Sequence, residues 1–252
     1  MPTNVPVTVV IPVLNEGHQI AECVRDSLWA DEVIVADGGS TDDTVAQARA
    51  AGATVIEGTG PGTGKQRNQA FEKARNAWIF SLDADERFSP ELIAGIAEAV
   101  RAPTHAAYRI RRRNFWLGHE QTRGSWGRDW VDRLHRRDHR YVEARPHDHL
   151  EPIADTGDLR GTLLHYPYRD LTHQLQKMTR YGELGARDLW NAGRRARWTD
   201  IAVNPLWRFV KAYLLGGGIL EGRYGLVRSA LGAYTAFLKY AYLWSFERDR
   251  DG

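Results

Sequence analysis

Asp83 and Asp85 stand directly after the apolar run 78–82 and ahead of Ser89-Pro90. Two carboxylates at alternating positions just past a strand can hold a divalent cation, Mg2+ or Mn2+, against a diphosphate. An isolated pair of this kind is more often a capped turn facing water, so its company decides the matter. Asp37-Gly38-Gly39-Ser40 follows a second apolar run, 32–36. Its glycines let the backbone approach a flat ligand, and its carboxylate can accept a hydrogen bond from a base N–H. Asn15-Glu16 follows a third run, 7–13.

Other motifs carry less. The stretch 58–65 (GTGPGTGK) fails the phosphate-loop pattern, which requires Gly where Thr59 stands and Ser or Thr where Gln66 stands. A backbone-rich loop with Lys65 and Arg67 can still touch a diphosphate, or be a plain connection. His147-Asp148-His149 lacks the second well-spaced pair that a zinc site needs, and a catalytic carboxylate at Asp148 is the better reading. His165 lies among apolar neighbours, where a lone histidine is more often a satisfied core residue than a ligand.

These side chains need elements to place them. The spacing predicts strands over 7–13, 32–36, 54–56 and 78–82. Helices are expected over 16–27, 41–51 and 66–75, the second opened by a cap at Ser40, and another starts at Ser89-Pro90 with Ser as N-cap. Such a βα alternation predicts an α/β fold: a mostly parallel central sheet with helices on both faces. Ligands bind beyond the carboxyl ends of the strands in such sheets, and all three acidic motifs sit there. After Val100 the rhythm stops. Residues 109–145 hold 11 arginines, no lysines and five acids, interleaved with Trp116, Trp126 and Trp130. Beyond Leu171 the pattern is helical and rich in aromatics. The expected organisation is a catalytic domain over 1–170, divided into a ligand-binding half (1–100) and a second half (101–170), followed by a helical C-terminal region, 171–252.

Composition narrows the class. With 252 residues, 42% of them hydrophobic, the chain can bury a core. Its one cysteine, Cys23, excludes an internal disulfide and fits a reducing cytoplasm. No signal peptide is expected at the start, and the longest membrane-span candidate, 231–246, is too short and carries Lys239. The net charge of +2 hides a split: 7 Lys/Arg against 15 Asp/Glu through Val100, then 27 against 17. An acidic half suits a cation and a basic half suits something anionic.

In order and spacing these motifs resemble glycosyltransferase family 2, with its GT-A fold. The segment 9–16 (VVIPVLNE) is similar to that family's first strand and turn, 37–42 (DGGSTD) to its nucleotide-base motif, and 82–86 (LDADE) to its metal motif. Further on, 133–137 (RLHRR), 146–148 (PHD) and 164–166 (LHY) resemble a bacterial subgroup that adds β-glucose to the lipopolysaccharide inner core. That subgroup has Phe where His135 stands and Glu where Asp148 stands. The segments 204–216 and 238–240 also look like its C-terminal region.

The resemblance implies an inverting, single-displacement transfer of a hexose, with UDP-glucose as donor and a divalent metal, Mg2+ or Mn2+, as cofactor. It places Pro12, Asn15, Glu16, Asp37 and Gly38 at the nucleoside, Lys65 and Arg67 near the diphosphate, and Asp83 at the ribose or donor sugar. Asp85 is the expected metal ligand, with His165 as a second candidate, and Asp148 the expected general base. The implied acceptor is an anionic glycolipid, a lipopolysaccharide core or another envelope glycan. Asp148 has three rivals. Asp129 and Asp132, beside Arg128 and Arg133, are expected to be ion-paired, and Glu151, before Pro152, suits a loop role.

Two other classes fit the sequence less well. A sugar nucleotidyltransferase carries a Gly-rich basic loop after its first strand, where this chain has Asn15-Glu16-Gly17. A nucleic-acid binder would suit the Arg/Trp-rich middle, but the acidic half would repel a polyanion, so no nucleic-acid partner is expected. In the C-terminal third, Leu206, Phe209, Val210, Tyr213 and Leu214 share one helical face, with Arg208 and Lys211 on another. That pattern predicts peripheral attachment to the inner face of the cytoplasmic membrane.

Overall fold

The computed structural model describes residues 4–60, 62–142 and 148–248. The chain forms two compact units, residues 1–113 with 129–165, and residues 114–128 with 166–252.

The first unit opens with β1 (Val5–Val13), α1 (Ile20–Asp26), β2 (Ala30–Asp37), α2 (Thr44–Ala50), β3 (Thr54–Ile56), α3 (Thr63–Lys73) and β4 (Trp78–Ser81). Then come β5 (Glu86–Phe88), α4 (Pro90–Arg101) and β6 (Ala107–Trp116), whose last residues join the second unit together with β7 (His119–Glu120). The first unit closes with β8 (Asp129–Arg136), β9 (Tyr141–Val142), β10 (His149–Leu150) and β11 (Thr156–His165). The sheet order is β3-β2-β1-β4-β8-β6-β11-β5.

β1 is buried on both faces, which is why it reads as an unbroken apolar run. Val7, Val9, Ile11 and Val13 pack with Ile20, Val24 and Ala48 of α1 and α2 and with Leu92 and Ile96 of α4. Val10 points the other way, to Ala70 and Phe71 of α3 and Ala74 just beyond it. Helices therefore cover both faces. β1 runs parallel to β2 and β4, with Val13 opposite Asp37 and Val10 opposite Ser81. This register brings the ends of the three strands, and the acidic motifs beyond them, to one edge.

The parallel pairing stops at β4. β8 lies antiparallel to β4, with Leu134 opposite Phe80, and β6 antiparallel to β8. β11 returns antiparallel to β5, which puts His165 opposite Glu86.

Two helix starts differ from the sequence expectation. α1 begins at Ile20 rather than near Glu16, and α2 at Thr44 rather than Thr41. The cause is a stitch between the first two loops. Asn15 N donates to Ser40 Oγ (2.9 Å), Thr41 N to Asn15 Oδ1 (2.8 Å), Glu16 N to Thr44 Oγ1 (2.8 Å) and Gly17 N to Asp42 Oδ2 (3.1 Å). Groups that could have capped or opened helices are spent on this contact, so Ser40 is not a helix cap. The cap expected at Ser89 does form: its hydroxyl accepts from Leu92 N at 3.2 Å, and Pro90 is the first helical residue. The bond is worth about 1 kcal/mol to α4.

The second unit is mainly helical: α5 (Leu171–Asn191), α6 (Trp198–Val210) and α7 (Gly222–Arg248). α7 packs against both others. Gly182 on α5 permits the approach, since a Cβ there would stand 2.9 Å from Leu238 Cβ. A π-helical turn, Lys211–Leu215, and a 3-10 turn, Gly218–Glu221, join α6 to α7. No helix among the described residues is long and apolar enough to cross a membrane.

Candidate active site

Asp83 is clamped between two arginines from different elements. Arg67 Nη2, on α3, reaches Asp83 Oδ1, and Arg133 Nη2, on β8, reaches Oδ2. Arg133 also donates to Glu86 Oε1 at 2.7 Å, and Arg112 Nη1 donates to the same oxygen at 3.1 Å. Arg112 Nε continues to Asp129 Oδ2 at 2.8 Å. Glu86 is fully buried, and its Oε2 accepts from Asp83 N at 3.0 Å.

Three guanidinium groups thus oppose three carboxylates, with Arg67, Arg133 and Glu86 buried and Arg112, Asp83 and Asp129 partly exposed. Burial works to raise the Asp83 carboxyl, but Arg133 and Arg67 hold it well below the usual range, so it is ionised. Arg133 is held firmly charged: burial opposes its charge, and the Asp83 and Glu86 carboxylates more than restore it. Arg67 and Arg133 each keep a buried Nε–H with no acceptor among the described residues.

Asp85 points elsewhere. Its Oδ2 lies 3.5 Å from His165 Nε2, at the end of β11. Both side chains are mostly but not wholly buried. His165, which sequence patterning favours as a core residue, therefore stands beside the DxD motif. Among the described residues no group of three or more His, Cys, Asp or Glu side chains gathers as a metal cage. The zinc alternative rested on His147, which lies outside the described residues.

The residues expected at the nucleoside fall on one edge. Pro12 is buried in β1 opposite Ala36, and Asn15 adopts a left-handed backbone (φ 58°), which Asn tolerates. Glu16 Oε2 accepts from Gln19 Nε2 at 2.7 Å. The buried Asp37 carboxylate closes its own loop, accepting from Gly39 N (2.9 Å) and Ser40 N (3.0 Å). A Cβ on Gly38 would meet Gln66 Nε2 at 2.2 Å, so a side chain there would have to displace the Gln66 amide from Val13 O and Gly60 O. Lys65 is exposed on the first turn of α3 and reaches back over Gly60, while Arg67 faces inward to Asp83.

Asp148 lies at the start of α3. Its Oδ2 accepts from Gly64 N at 2.7 Å and from Thr63 Oγ1 at 3.0 Å. A carboxylate there satisfies an orphan donor and meets the positive end of the helix. Of its rivals, Asp129 is ion-paired as expected, with Arg112. Asp132 is exposed, has no ion pair among the described residues, and lines a cavity of about 370 Å3 with Arg109 and Glu151. Glu151 also takes His139 Nδ1 at 3.1 Å and Arg140 N at 3.2 Å.

His135, where the resembling subgroup has Phe, packs on Phe71 and Tyr141. Its Nδ1 is 2.9 Å from Arg136 O and so carries the proton. Nε2 then accepts from Ser81 Oγ, 3.2 Å away. Burial pushes its pKa down to about 4, so the ring is neutral near pH 7. The roles of Glu86, Arg112 and Arg133 escaped sequence reasoning. The available signal was the arginine excess over 109–145, which needed carboxylate partners from the acidic half.

The family model for Glycosyl transferase family 2 matches residues 8–150, more than half of the chain. The chain is 29% identical to the lipopolysaccharide core biosynthesis glycosyltransferase LpsC of Rhizobium meliloti (strain 1021), over 96% of this chain and 93% of that one. It is also 29% identical to the uncharacterized glycosyltransferase RP128 of Rickettsia prowazekii (strain Madrid E), over 91% and 83%. Among solved structures it is similar to glucosyl-3-phosphoglycerate synthase from Mycobacterium tuberculosis in complex with Mn2+, UDP-glucose and phosphoglyceric acid. That likeness has 24% identity and a TM-score of 0.37, and covers 43% of each chain. The mixed sheet with helices on both faces and a helical C-terminal region is the GT-A architecture. From strand ends, motifs and matched length together, the chain belongs to glycosyltransferase family 2.

Proposed function

We propose that the protein is an inverting hexosyltransferase that moves glucose from UDP-glucose to a lipopolysaccharide-core or related envelope glycolipid. The observation that carries the reading is the pairing of Asp85 with His165 beyond the strand ends, next to the clamped Asp83. Two ligands at right angles on one Mg2+ or Mn2+ ion sit roughly 3 Å apart. The 3.5 Å between Asp85 Oδ2 and His165 Nε2 is close to that. Asp85 and His165 would hold such an ion against the diphosphate. When bound, the cation neutralises charge building on the departing diphosphate.

The chain's own residues do the rest. Pro12, Asn15, Glu16, Asp37 and Gly38 form the nucleoside edge, and Lys65 offers a mobile cation at the diphosphate. Asp83 is fixed as an anion for the ribose or donor sugar. Asp148 takes the proton of the acceptor hydroxyl as its oxygen forms the bond to the anomeric carbon. The bond from that carbon to the diphosphate breaks, UDP leaves, and the configuration inverts. The likeness to a lipopolysaccharide core enzyme supports the acceptor class, and with it a place of work at the inner face of the cytoplasmic membrane.

A screen of nucleotide-sugars with Mn2+ tests the assignment. UDP-glucose is expected to give the fastest release of UDP. Pyrophosphate release from a sugar phosphate and UTP would mark a nucleotidyltransferase instead.

A further inference from the structure

The turn between α6 and α7 presents an apolar tip to solvent. Leu206, Trp207, Leu214, Leu215, Ile219 and Leu220 are each 51–71% exposed, and none of α6 is fully buried. Large apolar side chains so grouped are uncommon on a monomer surface and mark a contact site. The surface differs from the face expected from helical spacing. Phe209 and Tyr213 stack on each other at 5.3 Å and are half-buried, while Leu206 and Leu214 are exposed and Leu215 beside them joins the tip.

The charge around the tip has one sign. Arg208, Lys211 and Arg223 are exposed, and so is Arg123, whose side chain lies beside Gly217. The one acid between residues 205 and 227, Glu221, is turned inward. Its side chain is 4% exposed, bonded to Arg228 at 3.1 Å and to the backbone N–H groups of Thr122 and Arg123.

We propose that this tip is a lipid-contact surface, seating its leucines and Trp207 in the headgroup zone of an anionic bilayer while the four cations meet lipid phosphates. Apolar side chains ringed by Arg and Lys, with an indole among them, suit that interface. A second copy of the chain fits poorly, because a self-complementary contact would bring both sets of cations together. The proposal extends the reading of a membrane-borne acceptor but stands on the surface itself.

The test is co-sedimentation of the full chain with vesicles of phosphatidylcholine, or of phosphatidylcholine and phosphatidylglycerol in equal parts. The protein is expected to sediment with the mixed vesicles and to be partly released by molar salt. Leu215→Glu with Leu220→Glu is expected to lower partitioning at least roughly tenfold, with an unchanged melting curve. Arg208→Gln, Lys211→Gln and Arg223→Gln together are expected to weaken binding to mixed vesicles alone. Wild-type protein that stays in solution, or a leucine variant that binds as well as wild type, overturns the proposal. So does a dimer in light scattering that the leucine variant dissolves, which would assign the tip to a second copy. UDP release, measured on the same preparations, separates this outcome from failure of the transferase reading.

Discussion

Asp148 Oδ2 accepts a hydrogen bond from Gly64 N at 2.7 Å, so the carboxylate proposed as the base also caps the helix that carries Arg67. A Cβ on Gly64 would press on the Asp148 carboxyl at 3.0 Å, so the glycine allows the approach. Asn in place of Asp148 keeps an acceptor for the cap but cannot take a proton. Asp148→Asn is therefore expected to fold normally, to bind UDP as wild type, and to lose about 10² to 10⁴ in kcat. Asp132 and Glu151 are the comparison, since both face one cavity close in sequence to Asp148. A dead Glu151→Gln or Asp132→Asn beside an active Asp148→Asn would move the base to that residue.

Arg133 joins Asp83 and Glu86 while almost wholly buried. Removing it leaves the fully buried Glu86 and the partly exposed Asp83 without their shared partner. Arg133→Ala is expected to cost about 3–5 kcal/mol and to lower Tm by roughly 10 °C or more. Arg133→Lys should recover only part, because one ammonium does not match the planar fork. A calorimetric Tm within a degree or so of wild type for Arg133→Ala would contradict the network's role.

His135 gives the fold a pH dependence. Its ordinary value of 6.5 applies in the unfolded chain, while burial holds the folded ring near 4. Between these values the unfolded chain binds a proton that the folded protein refuses. The stabilisation is complete above about pH 6.5 and is lost as pH falls toward 4, by up to roughly 3 kcal/mol. His135→Phe should flatten the difference between denaturant midpoints at pH 7 and pH 5. Some stability at pH 7 should be lost with it, because Ser81 Oγ loses its partner. An unchanged pH slope in the variant would show that another group sets it.

The parallel half of the fold was legible because β1, β2 and β4 are apolar on both faces and end in acidic loops. The antiparallel half was not. In β6 and β8 the alternation that marks a strand is broken by Arg112 and Arg133, which turn inward to carboxylates that no local pattern announces. His165 was readable as apolar-flanked, yet only the antiparallel return of β11 brings it to Asp85. The helix starts shifted for a similar reason. Ser40 looks like a cap in sequence but, with Asp42, bonds to the loop at Asn15–Gly17, which becomes a neighbour only once the sheet forms.

The central claim, transfer from a nucleotide-sugar through a cation held at Asp85, meets its most direct test in UDP release from UDP-glucose by the purified protein. Turnover is expected to stop in excess EDTA, to return with Mn2+, and to fall at least roughly a hundredfold in Asp85→Asn, with the melting curve unchanged. Full turnover in excess EDTA, or an Asp85→Asn variant as fast as wild type, would contradict the account.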